Sequence, residues 1–594
     1  MIDLSSIGRC RLIEGIPASP GVAVGSVFVL DTERPRVDEI AIPHERIEDE
    51  ERKFVSALEE TKRELGRLRD GLADDLGERS ARLFEPHLMI LDDTMIVDGT
   101  LRRISEQRVT AAVALTDTIG QVTRAMERTK DEYIRERVYD IKDIERRLLM
   151  RLLGRTGTLV PGLADDLIMV ARDLSITDTA AMRRERVLGF ATELGGRTSH
   201  AAIMARSLEV PAAVGLHGAT EAVGQGEVAI LDGTQGLLVY EFDDAVLEYF
   251  RDRKRQHEEF ERQLLTLKDY PAVTRDGHSV QLHANIEVPE DVRSAIAHGA
   301  AGVGLFRTEH LYLEGGRMPS EDEQYEAYRA VASAMAPSPV VIRTLDVGGD
   351  KLAPAGAVER EANPFLGWRG IRYSLSHPDL FMTQLRAALR ASAHGKVAIM
   401  FPMVSSLHEV RDAKQVVEAA RQELKRRGER FDPDVAVGVM IETPAAATIA
   451  ESLAQEVDFM SIGSNDLIQY ALAVDRGNDR VAYLYDQYHP AVLQLVSQTI
   501  HAAKRHRKWV GLCGEMAGDP RAVLVLVGLG IDQLSTSPVM LPEIKSLIRS
   551  TSLAYTRKVA ARALRFRTGV DVRRYLEQIL KKEFPEISAT EMIP

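Results

Sequence analysis

Apolar residues follow two patterns along the chain: a spacing of three or four positions, which is typical of helices, and short continuous runs, which are typical of strands. The first long stretch has the helical spacing. From about residue 45 to residue 153, apolar side chains recur every three or four positions between charged neighbours. The clearest series is Phe54, Ala57, Leu58, Thr61, Leu65 and Leu68. The same spacing recurs at 80–93, 110–126 and 131–153. Because residues at this spacing share one face of an α-helix, the segment 34–153 is predicted to be a small helical bundle.

Short apolar runs typical of β-strands lie on both sides of this helical segment. They are VAVGSVFVL (22–30) before it and LIMVA (167–171), VLGFAT (187–192), EVAILDG (227–233) and GLLVY (236–240) after it. The segment GIPASPG (15–21) is predicted to be turns, because it is rich in glycine and proline. We therefore predict one α/β domain, formed by residues 1–33 and 154–242, with the helical bundle inserted into it.

A charged helical stretch, 243–268, follows and carries few apolar positions. At 1.5 Å per residue it spans roughly 39 Å, and Pro271 ends it, so a helical linker is predicted at 243–270.

From Pro271 onward, apolar runs and helical segments alternate regularly. The runs are 279–286, 302–309, 339–346, 396–404, 435–443, 457–466, 509–516 and 531–537. Eight strands alternating with helices over this length predict a (β/α)8 barrel at 271–565, followed by a C-terminal helix and tail at 566–594. An open, doubly wound sheet is the structural alternative.

Composition and charge narrow the function classes. A chain of 594 residues predicts several domains, since length divided by ~150 gives about four. A net charge of −13 disfavours binding to nucleic acid or anionic membranes. No apolar run reaches the ~18 residues of a membrane helix, so no membrane insertion is expected. The two cysteines, Cys10 and Cys513, form no disulfide framework and favour the cytoplasm.

Polar and charged residues follow the predicted barrel strands where each strand ends. They are Asn285, Arg307, Arg343, Asp346, Glu442, Asn465, Asp466, Cys513 and Glu515. Arginine offers a planar cation suited to carboxylate and phosphate, and paired carboxylates such as Glu442 and Asp466 suit Mg²⁺. Any one of these residues alone is most simply a surface ion pair. Because several strand ends carry them, we expect an active site there for an anionic substrate.

Two further residues each allow two interpretations. Cys513 is either a small buried apolar residue or a thiol that gives or takes a proton at the substrate. His200 in GGRTSHAAIMAR (195–206) is either a histidine at an ordinary glycine turn or a nucleophile at a helix N-terminus. There, Thr198 or Ser199 would cap the helix, and the helix dipole would keep the imidazole neutral and favour an attached phosphate.

Several long motifs resemble those of the phosphoenolpyruvate-utilising enzymes. GGRTSHAAIMARSLEVPAAVG is similar to their phosphohistidine signature, and other segments are similar to the family's barrel motifs. These segments are GVGLFRTE, RTLDVGGDK, NPFLGWRGIRYSL, ETPAA, SIGSNDLIQYALAVDRGN and GLCGEMAGD. Their order, with the helical insert, resembles the enzyme I family of the bacterial phosphotransferase system. The resemblance extends from GIPASPG to about residue 565.

The resemblance implies a role for each matching position. His200 would be phosphorylated, with Thr179 hydrogen-bonded to its ring. Arg307 and Arg343 would bind the phosphate of phosphoenolpyruvate with help from Asn465 and Arg476, while Glu442 and Asp466 would hold Mg²⁺. Cys513 would deliver a proton to enolpyruvate, and Arg369 and Gly463 would support the site. The helical insert would bind the phosphocarrier protein HPr, and the barrel would form a homodimer.

Three other functions are weighed against this one. A pyruvate,phosphate dikinase or phosphoenolpyruvate synthase would need a large ATP-binding domain, and the segment before residue 154 has no glycine-rich nucleotide loop. A nitrogen-regulatory relative would carry an additional sensory domain. A non-catalytic regulator would not need His200, the arginines, the carboxylates and Cys513 together.

Overall fold

The computed structural model describes residues 7–30, 35, 37, 41–76, 84–127, 132–154, 167–175, 177–178, 187–196, 199, 201–202, 204–205, 210–313, 317–348, 361, 363–476, 478 and 480–590. These residues form two compact units. The first unit runs to Glu259, and the second spans Phe260–Ala589. No helix in the described ranges combines the length and the apolar character that crossing a bilayer demands.

The first unit contains an eight-stranded mixed sheet with the order β1-β8-β7-β3-β4-β5-β6-β2. Its strands are β1 (Arg11–Glu14), β2 (Ile16–Ser19), β3 (Val22–Leu30), β4 (Leu167–Ala171), β5 (Val187–Thr192), β6 (Ala212–Val214), β7 (Val228–Asp232) and β8 (Leu237–Tyr240). The five runs predicted as strands are confirmed. β2 lies in the segment predicted to be turns, and Pro17 is tolerated because β2 is an edge strand.

Among the described residues, five helices lie between β3 and β4, which are parallel neighbours in the sheet. They are Ile47–Leu76, Glu85–Leu91, Thr94–Gln107, Ala111–Glu127 and Glu132–Leu152, and the unit also contains the short helix Ala219–Ala222 and the turn His44–Arg46. Phe54, Leu65, Leu115 and Ile144 are buried in the core of the bundle. Two adjacent strands thus flank the bundle in sequence, which confirms that it is inserted into the α/β fold.

A buried ionic network joins the last bundle helix to the segment after β4. Arg146 Nη2 donates to both carboxylate oxygens of Asp178 at 2.5 and 2.6 Å, and Arg147 Nε donates to Thr177 Oγ1 at 2.7 Å. Both arginines and Asp178 are buried. Because removing one partner of a buried pair typically costs about 3–5 kcal/mol, this network fixes the segment that leads to Thr179.

The connecting helix predicted at 243–270 is present as Asp244–Thr266. The first half of this helix packs against the sheet, since Val246 and Phe250 are buried in a cluster with Val22 and Ile230. The boundary between the two units falls within this helix, after Glu259. Phe260 already belongs to the core of the second unit.

The second unit is built on a closed eight-stranded barrel, which confirms the predicted fold and excludes the open sheet. Every strand pairs in parallel with both neighbours, and β16 closes the barrel on β9. The strands are β9 (Gln281–Ile286), β10 (Val303–Phe306), β11 (Val340–Arg343), β12 (Val397–Phe401), β13 (Ala436–Ile441), β14 (Phe459–Ile462), β15 (Trp509–Leu512) and β16 (Gln533–Thr536). Each lies inside one of the eight predicted runs.

Helices follow the barrel strands and cover them. They are Asp291–Ala297, His310–Leu313, Glu321–Met335, Ile371–Ser376, Pro378–Ala391, Leu407–Arg427, Pro444–Thr448, Ala450–Glu456, Ser464–Leu472, Pro490–Arg505, Pro520–Leu529, Leu541–Ser550, Leu553–Ala563, Gly569–Glu583 and Pro585–Thr590. Short 3-10 turns occur at Pro364–Leu366, Ser392–His394, Ala482–Leu484, Glu515–Gly518 and Pro538–Met540. Val572, Leu576 and Leu580 of the helix Gly569–Glu583 are buried in the same core, so the packed unit extends beyond residue 565.

Candidate active site

The predicted barrel residues meet at the carboxyl ends of the strands. Arg307 follows β10, Arg343 ends β11, Glu442 follows β13 and Cys513 follows β15, while Asp466 lies in the first turn of the helix after β14. Because all eight strands are parallel, these ends share one face of the barrel. This face, which we call the barrel mouth, therefore collects charge from four strands.

Two arginines, the buried Arg343 and the partly buried Arg369, are held by carboxylates at the barrel mouth. Arg343 Nη2 donates to Glu309 at 2.9 Å, and its Nη1 lies 3.1 Å from Asp346 Oδ2. Arg369 donates to both oxygens of Asp346, from Nε at 3.2 Å and Nη2 at 2.9 Å. Burial disfavours these charges, but the attraction of the carboxylates outweighs it and raises the pKa of both arginines. They are permanent cations in a poorly solvated place.

Arg307 is placed differently, at the edge of the mouth. Its Nη1 donates to Glu287 Oε1 at 2.6 Å, and its side chain is 37% exposed. An exposed ion pair of this kind contributes little to stability, so exchanging Glu287 for an anionic ligand costs little. Arg307 therefore remains available to a substrate.

Three carboxylates form a compact acidic cluster. Asp346, Glu442 and Asp466 each offer one oxygen, and these oxygens lie within 4.8 Å of one another. Glu442 Oε1 accepts a hydrogen bond from the Met403 N–H, whereas the buried Oε2 has no hydrogen-bond partner in the part of the chain that the structure describes. A buried carboxylate oxygen without a partner is costly, and a bound cation would satisfy it. This donor set of hard oxygens fits a divalent metal ion.

The predicted metal ligands were Glu442 and Asp466, and the structure adds Asp346. The sequence shows Asp346 in RTLDVGGD only as one more polar residue after a strand. Its place among the carboxylates depends on the loop after β11, whose course no periodicity reveals. Asp346 also receives both arginines, so it joins the cationic and the acidic parts of the site.

Two glycines allow this close packing. A Cβ at Gly463 would lie 2.9 Å from both Cβ and Oε2 of Glu442. Any side chain at position 463 would therefore displace Glu442. Gly370 has a φ of +61°, and a Cβ there would lie 2.7 Å from Met403 Cβ and 3.1 Å from Asp346 Oδ1. This geometry is consistent with the supporting role predicted for Gly463 in the site.

Asn465 and Arg476 meet at Glu515, on the exposed side of the mouth. Asn465 Oδ1 accepts from the Glu515 N–H at 2.8 Å, and its Nδ2 donates to Glu515 Oε1 at 3.2 Å. Arg476 Nη1 donates to the same oxygen at 3.4 Å. The carboxylate of Glu515 therefore orders two side chains that were predicted to bind substrate.

Cys513 lies just inside the mouth and is 3% exposed. Its N–H donates to the Ile462 carbonyl at 3.0 Å. Burial, with a smaller effect of Glu442, raises the pKa of the thiol to about 11, against the opposing influence of Ser461, Arg343 and Arg307. The thiol is therefore protonated at neutral pH, which is the form that a proton donor needs, whereas a nucleophile needs the thiolate.

The second predicted centre is only partly visible. His200 and Thr179 lie outside the described residues. At the preceding position in the sequence, Ser199 Oγ accepts from the Ala202 N–H at 3.4 Å, which is the capping contact predicted for Thr198 or Ser199. Gly195 has a φ of +106°, and a Cβ there would lie 2.9 Å from Ser199 Oγ. The turn before residue 200 thus requires glycine.

A closed parallel barrel that carries paired arginines and a carboxylate cluster at the carboxyl ends of its strands is typical of the barrel enzymes, whose active sites lie at this face. The sequence matches the PEP-binding domain of PEP-utilising enzymes over residues 261–553. It also matches their N-terminal domain at 14–137 and their mobile domain at 163–236.

Relatives match almost the entire chain. Proteins from Staphylococcus carnosus (strain TM300) and Haemophilus influenzae are each 42% identical to it, over 575 and 569 residues, and cover 96% of this chain and 99% of their own. One from Geobacillus stearothermophilus is 41% identical over 564 residues, which is 95% of this chain and 97% of its own. All three are named phosphoenolpyruvate-protein phosphotransferase. The chain belongs to this family of PEP-utilising enzymes, as its motifs indicated.

Changing Asp346 to Asn should weaken divalent cation binding. One of three clustered oxygen ligands loses its charge, so we expect a loss of at least about tenfold, the lower end of the range for mutated outer-shell partners. Titration of the protein with Mn²⁺, followed by calorimetry, measures this affinity. Asp379→Asn is the matched control, because Asp379 is exposed on a helix of the same unit. Equal affinities of the two variants would remove Asp346 from the metal site.

Cation affinity should also depend on pH. Burial and the charges of Asp346 and Asp466 raise the pKa of Glu442 from its ordinary 4.5 to about 8. Below pH 8 an incoming cation must displace this proton, so affinity should rise about tenfold per pH unit and then level off. Between pH 4.5 and 8 the native metal-free protein holds a proton that the unfolded chain has lost, so its stability falls as pH rises. Calorimetry in two buffers of different ionisation enthalpy counts the released proton, and release of none at pH 7 would contradict this.

Proposed function

We propose that the protein transfers the phosphoryl group of phosphoenolpyruvate to its own His200 and then to a histidine of HPr, releasing pyruvate. This is the first step of sugar uptake by the phosphotransferase system. The observation that carries the proposal is the grouping, at one barrel mouth, of the paired cations Arg343 and Arg369, the three carboxylates and the protonated Cys513 thiol. The family membership of the entire chain supports the same reaction.

In this proposal, the arginines bind and orient the substrate. Arg307, which is exposed, and Arg343, which is buried, receive the phosphate oxygens, with Asn465 and Arg476 at the exposed side. The guanidinium fork pairs with two oxygens at once and stays charged at any pH of interest. Because both arginines are already held by carboxylates, little reorganisation is needed when charge builds up on the phosphoryl oxygens.

Asp346, Glu442 and Asp466 would hold Mg²⁺, the hard cation that oxygen ligands and substrate phosphates bind together. Once bound, the ion supplies Lewis-acid stabilisation of negative charge on oxygen. The partnerless Oε2 of Glu442 is the feature of this chain that best fits such an ion.

The transfer itself is an in-line displacement at phosphorus. The neutral imidazole of His200 supplies the electron pair of the new N–P bond, and the bridging P–O bond breaks with its electrons moving to the enolate oxygen. Cys513 then gives its proton to the methylene carbon, and the electron pair of the S–H bond stays on sulfur. Formation of the ketone makes the step favourable, since enolpyruvate is the less stable tautomer.

Surface features support the proposed partners. Met89 and Met95 of the helical bundle are 72% and 70% exposed, which suits docking of a small protein such as HPr. In the barrel loops, exposed Leu366, Trp368 and Tyr483 offer an apolar surface for a homodimer. The free cysteines suit a reducing compartment, and we propose the cytoplasm.

Replacing His200 with alanine should abolish labelling of the protein by phosphoenolpyruvate carrying radioactive phosphate, because the acceptor nitrogen is gone. Label in the intact protein should be stable to alkali and lost in acid, as a phosphoramidate is. His217→Ala is the matched control, since His217 is an exposed histidine of the same unit. Full labelling of His200→Ala would refute the assignment.

Replacing Cys513 with alanine should separate the two halves of the reaction. We expect phosphorylation of His200 to persist, while exchange of labelled pyruvate into phosphoenolpyruvate falls by about 100-fold or more, because a general acid and base is lost. Cys10→Ala, which changes the chain's other cysteine, should leave both rates unchanged. If the exchange rate of Cys513→Ala equals that of the unmodified protein, Cys513 takes no part in the proton transfer.

A further inference from the structure

The interior of the barrel has two chemically different sides. The apolar side is formed by Leu305, Val341, Met400, Met440, Phe459 and Cys513, with Ala398, Ala436 and Trp509 against them. The other side, on β9 and β16, presents His283, Asn285, Gln533 and Ser535. Such barrels are usually filled by branched apolar residues, so a polar half requires an explanation. We call these four residues the polar column.

The upper end of the polar column contacts Cys513. Asn285 Nδ2 donates to the Cys513 carbonyl at 3.0 Å and to the Ser535 carbonyl at 3.2 Å. Ser535 Oγ donates to Asn285 Oδ1 at 2.7 Å. These bonds connect the backbone that carries the thiol to the hydroxyl group of Ser535, which is fully buried.

The lower end holds polar atoms without partners. His283 is in register with Ser535 across the β9–β16 pair, and Gln533 precedes Ser535 by two residues on the same face. His283 and Gln533 are 3% and 5% exposed, yet among the described residues His283 Nδ1 and Gln533 Nε2 have no hydrogen-bond partner. Leaving a buried polar atom unpaired typically costs about 1–3 kcal/mol, so such atoms mark places where water binds or where function demands them.

Glycines make room for the polar side chains on this side of the interior. A Cβ at Gly304 would lie 2.5 Å from both Gln533 Nε2 and Ser535 Oγ, so these two polar atoms adjoin the same point. A Cβ at Gly511 would lie 3.4 Å from Gln533 Nε2. At the base, a Cβ at Gly302 would lie 3.0 Å from His283 Cε1, and the neighbouring Ala301 is exposed. The column therefore extends from Cys513 towards the surface at the base.

The proposed reaction creates a need for such a column. Each net turnover takes one proton from the thiol of Cys513, which is 3% exposed, and the substrate occupies the mouth above it. A buried thiolate is unfavourable and must regain a proton from solvent before the next turnover. A path through the barrel supplies that proton without opening the mouth.

We propose that the polar column is the route by which protons return from solvent at the barrel base to Cys513, an inference that rests on the proposed function. As the methylene carbon gains its C–H bond, the S–H bond breaks and the electron pair stays on sulfur. A proton from solvent then re-forms the S–H bond, carried by the imidazole of His283, the hydroxyl of Ser535 and water bound at Gln533. The amides of Gln533 and Asn285 orient these carriers and transfer no proton themselves.

The state of His283 suits a carrier. Burial lowers the pKa of its imidazole to about 4, so the ring is neutral at neutral pH. A neutral imidazole can accept a proton at one nitrogen and release one from the other, with no lasting charge in the interior.

Two isotope exchanges distinguish a proton route from a structural role. Exchange of labelled pyruvate into phosphoenolpyruvate can reuse a single proton on Cys513, because the thiolate left by one pyruvate takes a proton from the next. Wash-in of solvent deuterium into the pyruvate methyl group requires, in addition, that the thiol exchanges with solvent. The ratio of wash-in to label exchange therefore reports the return path alone, and a general loss of activity cancels from it.

We expect His283→Leu to lower this ratio by about 100-fold, the lower end of the range for loss of a positioned proton-transfer group, and Gln533→Leu to lower it as well because the water that Gln533 binds is lost. Wash-in is followed by proton NMR in D2O, with Mg²⁺ and the full-length protein. Thr551→Val is the matched control, since Thr551 Oγ1 is a buried, partnerless hydroxyl of the same unit outside the barrel interior. Ser535→Ala is a smaller change that should lower the ratio even if the leucine variants do not fold.

An unchanged ratio in folded His283→Leu and Ser535→Ala would overturn the proposal. Failure of the proposed function looks different, because the unmodified protein would then show neither label exchange nor wash-in. If Cys513→Ala loses both exchanges and the column variants keep the ratio of the unmodified protein, Cys513 remains the acid and only the route is wrong.

Discussion

The balance of buried charge at the barrel mouth is the constraint on which the rest of the site depends. Two guanidinium groups and three carboxylates share a poorly solvated region, and Asp346 lies between them as a partner of both Arg343 and Arg369. A buried cation is tolerated only when it is paired. The closed parallel barrel makes this pairing possible, because it brings the ends of distant strands within hydrogen-bonding distance of one another.

This balance is incomplete in a way that suits a ligand. Asp346 is committed to the two arginines, whereas Glu442 Oε2 has no hydrogen-bond partner among the described residues and occupies space that Gly463 leaves free by having no side chain. A site optimised for stability alone would pair or remove that oxygen. Here the protein instead keeps a carboxylate whose pKa is raised by burial, and this cost is recovered when a cation binds. Arg307 is likewise suited to a ligand, because it is a partly exposed cation at the edge of the barrel mouth and pairs with Glu287, which is also partly exposed.

The sequence predicts the barrel well and the loops poorly, for a physical reason. Each barrel strand is an apolar run bounded by helices, so all eight are visible as patterns and the residues that end them are visible too. β6 has only three residues, and helix Thr94–Gln107 begins at the cap of Asp93 rather than at a strong periodic signal, so both are missed. Asp346 and Glu515 act through loop geometry, which depends on contacts between segments far apart in sequence. The interior register of His283, Gln533 and Ser535 likewise becomes visible only when β16 closes on β9.

One side of the barrel interior is polar, although apolar side chains there would make the protein more stable. Filling the positions of Gln533 and Ser535 with valine or leucine would remove an unsatisfied buried amide and add apolar contacts, each worth about a kilocalorie per mole or more. Stability therefore cannot explain the polar column. Support of the Cys513 backbone by Asn285 explains its upper end but not the partnerless Nδ1 of His283, which lies beside Gly302 at the base. A function that needs both ends at once, such as proton passage between them, accounts for the polar residues and for the glycines that face them.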